Sequence, residues 1–276
     1  MQFFPEIIVW IFLFIAILTI AMERKVWLVF FFLSIASALL LEILEITGVM
    51  IVLAGISIAY YATKQVGWRL YLVHSLLIIW AILLATHQLP GFNNLNVIEQ
   101  AVTGANSVPF SMSLNIDKPM LIFAFILLLP GMLVKPPSGN RNIYVVLSVV
   151  SLISLPLLGC LMGLIKPEIS VPSWIILFGL NNLLITCVSE EVFFRGYLQT
   201  IFSRYGQAVA LAGSSLLFGL AHFAGGIELI ILATVAGACY GLIYLATGRL
   251  YMAVAAHFSF NLYHLIFYTF PFASST

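Results

Sequence analysis

Residues 173–203, SWIILFGLNNLLITCVSEEVFFRGYLQTIFS, decide how this chain folds. The run is longer than the roughly 20 mostly apolar residues that carry a helix across a bilayer. Yet it holds Glu190, Glu191 and Arg195 well inside its apolar flanks. Ionisable groups at membrane depth are costly, so each is a functional candidate by default.

Working outward, apolar runs near spanning length recur from one end of the sequence to the other. They lie at about 3–22, 26–46, 48–63, 69–87, 119–135, 143–165, 173–203, 208–224, 228–247 and 250–270. The expected fold is an all-α polytopic transmembrane helix bundle of about ten spans, with eight as the lower bound. Helices are expected because lipid cannot satisfy exposed backbone groups, and the runs are too long and unalternating for barrel strands. Composition agrees: 63% of the 276 residues are hydrophobic and 8% charged, against about 25% charged in soluble domains. The mean hydropathy is +1.14. A net charge of +1 gives no reason to expect a nucleic-acid partner. Cys160, Cys187 and Cys239 sit in apolar runs without C-x-x-C spacing and read as small core residues.

The first run has Glu6 as its only charge, and no small-residue cleavage site precedes Glu23-Arg24-Lys25, so it is expected to be a retained span. Basic residues test the span count. With the first residue outside, the inner loops hold Arg24, Lys25, Lys64, Arg69, Lys135, Arg141, Arg204 and Arg249, and the outer loops only Lys118 and Lys166. That asymmetry follows the positive-inside rule for ten spans with both termini outside. The long connection at about 88–118, rich in Asn, Gly and Ser, reads as an outer loop or interfacial segment. It divides the chain into an accessory region, 1–118, and a core, 119–276. The first four spans carry few buried polar groups beyond Glu42, Glu45 and His74, and no internal repeat is evident.

The chemistry lies in three clusters. In the first, Glu191 and Arg195 are four apart and face the same way, which suits an ion pair. Glu190 then points about 100° away, and as a desolvated carboxylate it suits a general base. A structural Glu–Arg clamp is the alternative. In the second, Phe218 and His222 are one turn apart, and a lone histidine in an apolar run can equally be an interhelical hydrogen bonder. In the third, His257, Asn261 and His264 share a helix face and can serve as oxyanion donors or as glue between membrane helices. Together they exceed what packing requires. Glu190 and His222 can hold and deprotonate a water, while His257 and Asn261 receive charge on a scissile carbonyl oxygen.

Glu190-Glu191-x-x-x-Arg195, Phe218-x-x-x-His222 and His257-x-x-x-Asn261 resemble the three ordered motifs of the CAAX protease and bacteriocin-processing (CPBP, or Abi) family, that of the type II CAAX prenyl endopeptidase. The resemblance covers about 173–270. It implies a glutamate-dependent intramembrane endopeptidase acting on a membrane-anchored or lipidated protein or peptide. Glu190 would be the base, assisted by His222, with His257 and Asn261 as the oxyanion site. Glu191, Arg195 and Phe218 would be supporting residues, and His264 matches no motif. Family members were long described as metalloproteases; a zinc site would use Glu190, His222 and His257. There is no H-E-x-x-H, and no cofactor is expected. Ser214-Ser215 lies outside a G-x-S-x-G setting, and Asp117 is the only aspartate, which excludes an aspartyl dyad. The expected location is the prokaryotic plasma (inner) membrane. Two other functions stay open: a proton-coupled transporter, against which the absence of repeat symmetry counts, and a non-catalytic immunity or scaffold protein.

Overall fold

The computed structural model describes residues 4–22, 25–135 and 142–274. Glu23, used above in reading the first span, and Arg24 and Arg141, used in the charge reading, lie outside the described residues. In chain order the elements are α1 (Ile7–Ala21), α2 (Trp27–Leu40), α3 (Ile46–Ala62), α4 (Trp68–Ala85), β1 (Leu95–Ala101), β2 (Phe110–Leu114), α5 (Met120–Leu128), α6 (Asn142–Leu161), α7 (Ile175–Tyr205), α8 (Gln207–Leu220), α9 (Gly226–Thr247) and α10 (Leu250–Phe267). Among the described residues, five helical segments are long and apolar enough to cross a membrane: α4, α6, α7, the segment Phe223–Thr247 that contains α9, and α10. α1, α2, α3 and α8 are shorter apolar helices. The chain is an integral membrane protein built from helices.

Two stretches differ from the sequence reading. The run at 119–135 forms only the nine-residue α5, about 14 Å long at 1.5 Å per residue against a hydrocarbon core of about 30 Å. It stops because Pro130 follows Leu129, whose backbone has left the helical region (φ −133°, ψ 72°). The connection at 88–118 is not all loop, since β1 and β2 pair there as a two-stranded sheet.

The structure divides into two compact units that interleave along the chain. The first comprises Met1–Val97, Met112–Pro130 and Leu184–Ser189. Within it α1 packs on α2, and α3 packs on α4 and α5. Side chains tie neighbouring helices to backbone: Ser34 Oγ donates to the Val9 carbonyl at 2.9 Å, and Trp80 Nε1 to that of Ile51 at 3.0 Å. Asp117, the one aspartate, is buried and holds His87 Nδ1 at 2.7 Å.

The second unit comprises Ile98–Ser111, Gly131–Leu183 and Glu190–Thr276. α9 is its hub, packing on α6, α8 and α10. Small residues allow this, as is usual where membrane helices approach closely. Gly219 of α8 lies against Thr234 and the Ile230 carbonyl of α9; a β-carbon there would meet that carbonyl oxygen at 2.7 Å. Gly219→Ala should therefore lower stability by about 1–3 kcal/mol, read from thermal unfolding in detergent micelles. An unchanged midpoint would mean that the α8–α9 approach is looser than described.

α7 is not a uniform helix. π-helical turns at Asn182–Cys187 and Val192–Gln199 flank one α-helical turn, Val188–Glu191. Such turns cluster at functional sites because the wider spacing re-aims side chains. Here they bracket the two glutamates.

Candidate active site

The centre of the second unit is a buried charge cluster. Glu191 and Arg195 side chains are both fully buried and pair at 3.0 Å between Oε1 and Nη1. The ion pair read from the i,i+4 spacing is thus present. Arg195 Nη2 donates to the Gly237 carbonyl at 2.7 Å, and its guanidinium lies 4.5 Å over the Phe218 ring. A buried guanidinium needs this combination of carboxylate, carbonyl and ring to offset its lost hydration.

Glu191 Oε1 also accepts a hydrogen bond from His257 Nδ1 at 2.9 Å. That bond fixes the ring: with Nδ1 donating to the carboxylate, Nε2 is turned toward Glu190. Glu190 Oε2 stands 3.9 Å from His257 Nε2. The separation is too long for a direct hydrogen bond and within reach of a bridging water. Glu190 is 18% exposed where Glu191 is fully buried, so the adjacent carboxylates occupy different environments. The His257 ring is stacked on Tyr240 (centroids 4.6 Å apart, 15° between planes) and meets Phe218 edge-on at 5.6 Å.

His222 sits just past the end of α8 rather than inside it. Its Nδ1 donates to the Phe218 carbonyl at 2.8 Å, leaving Nε2 as the ring nitrogen with an acceptor role. The Phe218 ring lies between the two histidines, 4.8 Å from the centroid of His222. A cavity of about 320 Å³ opens beside this cluster, lined by His222, His257 and Asn261 together with Phe218 and Tyr240. Glu190 is not among its lining residues; it stands 3.9 Å from the His257 Nε2. Carboxylate, imidazoles and carboxamide thus come from α7, the α8–α9 connection and α10 into one neighbourhood, with room for water next to the histidines.

Residues 172–263 match the family model described as type II CAAX prenyl endopeptidase Rce1-like. The match covers 92 of the 276 residues, and that stretch is similar to an Rce1-like domain. The matched stretch runs from just before α7 to Tyr263 in α10, so Glu190, Glu191, Arg195, Phe218, His222, His257 and Asn261 all fall within it. At family level the match supports a CAAX-type intramembrane protease. No curated protein and no solved structure matches the chain.

Three residues that line the cavity had no place in the site expected from the sequence. Asn182, on the first π turn of α7, accepts a hydrogen bond from Asn261 Nδ2 at 3.1 Å and thereby sets the direction of that carboxamide. Its signal was visible, since Asn181-Asn182 interrupts an apolar run. Tyr240 stacks on His257, and an aromatic in an apolar helix carries no signal of that kind. His264, set aside because it fits no motif, lines the cavity and donates from Nε2 to the Thr269 carbonyl at 3.1 Å. Among the described residues no three His, Cys, Asp or Glu side chains are grouped as a metal-binding set.

Proposed function

We propose that the protein is an intramembrane endopeptidase of the glutamic type that hydrolyses a peptide bond of a membrane-anchored or lipidated protein. The observation that carries this reading is the placement of Glu190 against His257 Nε2, beside a cavity that also presents His222 and Asn261. Glu190 takes the proton of the attacking water, helped by the acceptor nitrogen of His222. His257 and Asn261 donate to the oxyanion of the tetrahedral intermediate, Asn261 through Nδ2 and His257 through Nε2 of a doubly protonated ring whose Nδ1–H stays on Glu191. Glu191 holds His257 by Nδ1, and Arg195 neutralises Glu191, so both act by positioning. In this reading residues 119–276 form the catalytic core and 1–118 an accessory region. The protein sits in a prokaryotic plasma membrane with both termini on the outer side, and needs no metal.

The test is a proteoliposome assay with the purified protein and a panel of fluorescent single-span peptides, lipidated and unmodified, with new termini read by mass spectrometry. Cleavage in or next to the apolar segment should persist in excess EDTA or 1,10-phenanthroline. Loss of cleavage with chelator and its return with zinc would replace the metal-free mechanism. His257→Ala and Asn261→Ala should each lower kcat by about 10²–10³-fold with a smaller effect on KM, as expected for groups that act on the developing oxyanion. A change confined to KM would remove them from that role.

A further inference from the structure

The cavity has a wall that neither the motifs nor the proposed mechanism uses. α10 ends at Phe267, and Tyr268 is extended (φ −136°, ψ 165°). The chain then runs back over the site, and Phe270, Pro271 and Phe272 line the same cavity as His222, His257 and Asn261.

This segment is held on both sides, mostly through backbone. On one side the Val108 N–H donates to the Phe272 carbonyl at 3.1 Å, and the Ser274 N–H to that of Asn106 at 2.7 Å. Phe270 N–H donates to Ser107 Oγ at 3.1 Å, and Ser107 and Ala273 form an antiparallel bridge. On the other side Thr269 N–H donates to the Lys166 carbonyl and Ala273 N–H to that of Leu164, both at 2.9 Å. The segment therefore lies as a middle strand between Asn106–Val108 and Leu164–Lys166.

The turn that carries the first edge is itself fixed by one carboxylate. Glu168 accepts from Ser107 Oγ at 2.7 Å, from the Asn106 N–H at 3.0 Å and from Asn106 Nδ2 at 2.9 Å. Desolvation pushes the Glu168 pKa up, and these bonds outweigh it, leaving the carboxyl below the ordinary carboxylate range.

Backbone edges that grip an extended segment do so with little regard to its side chains, which is the basis of peptide recognition by strand addition. We propose that Phe270–Ser274 is a displaceable strap occupying the groove in which the hydrolase, on the reading above, binds its substrate as an extended peptide. Substrate entry then requires the strap to leave, and the incoming chain takes over the backbone partners at Asn106–Val108 and Leu164–Lys166. Its apolar side chains replace Phe270 and Phe272 in the cavity wall. The substrate class is an extended stretch with bulky apolar residues next to the scissile bond.

The strap can be locked and freed without reference to turnover. Bridge partners have α-carbons close enough for a disulfide, so Ser107→Cys with Ala273→Cys should lock it. The reporter is Ala233→Cys, which lines the cavity, in a protein whose three native cysteines are replaced by alanine. With a water-soluble methanethiosulfonate reagent in nanodiscs, the locked protein should label about tenfold more slowly than the same protein lacking both Ser107→Cys and Ala273→Cys, because labelling then has no opened population to draw on. Glu168→Ala, which loosens the turn instead, should label faster than its parent. A synthetic peptide of sequence YTFPFAS should bind protein truncated after Phe267 and not the intact chain. Equal labelling rates in the locked, unlocked and Glu168→Ala proteins would overturn the strap, as would absence of peptide binding by truncated protein that unfolds cooperatively. Neither readout needs catalysis, so failure here and failure of the hydrolase reading are separable.

Discussion

Glu190→Gln protein is expected to insert, fold and unfold at the temperature of its parent, and to lose about 10²–10⁴-fold in turnover, the range contributed by a positioned general base. The substitution is nearly isosteric and leaves in place the bonds that Glu191 makes to Arg195 and His257 between the helices. Glu190 keeps partial exposure beside His257, whereas its neighbour is fully enclosed. Only the former keeps the exposure a carboxylate needs to exchange a proton with water. Glu191→Gln should behave differently, losing both stability and activity, since it weakens two buried partners at once. Turnover in Glu190→Gln equal to the parent would end the glutamate-base account, and a large fall in unfolding temperature would mean that Glu190 belongs to the scaffold.

The largest effect on stability is expected at Arg195. Arg195→Met keeps much of the side-chain volume but leaves Glu191 buried among Arg195's former partners, Phe218, Tyr240 and the Gly237 carbonyl. Removing one partner of a buried pair costs about 3–5 kcal/mol because the remaining charge is uncompensated. Combining Arg195→Met with Glu191→Leu should recover much of that loss, since no charge is then stranded, while activity stays low because His257 has lost its anchor. Thermal or denaturant unfolding of the three proteins measures this. A double variant less stable than Arg195→Met alone would show that the pair contributes more than mutual neutralisation.

The parts of this site legible in the sequence were those set by local spacing. Glu191 and Arg195 fall on one helix face at four residues apart, and their ion pair follows from that alone. The bond between Glu191 and His257 joins residues 66 apart in sequence, and no periodicity encodes it. Asn182 was within reach, because an amide in an apolar run needs a partner, but only the packing of α7 on α10 names Asn261 as that partner. At the level of the fold, hydropathy measures composition and not backbone. It therefore read 119–135 as a span, although Pro130-Gly131 marks the break that limits α5 to nine residues. It also read 173–203 as one plain helix, whereas the π turns around Glu190 and Glu191 depend on tertiary context. The strap was missed because Phe270-Pro271-Phe272 looks like the tail of the last apolar run, and its backbone partners lie over 100 residues earlier.

The most direct measurement compares membrane-protein fragments in cells expressing the native chain with those in cells expressing Glu190→Gln at equal abundance, using mass spectrometry of new termini. The account predicts fragments whose new ends fall in or beside apolar segments, present with the native chain and absent with the variant. Identical fragment sets in the two membranes would contradict it.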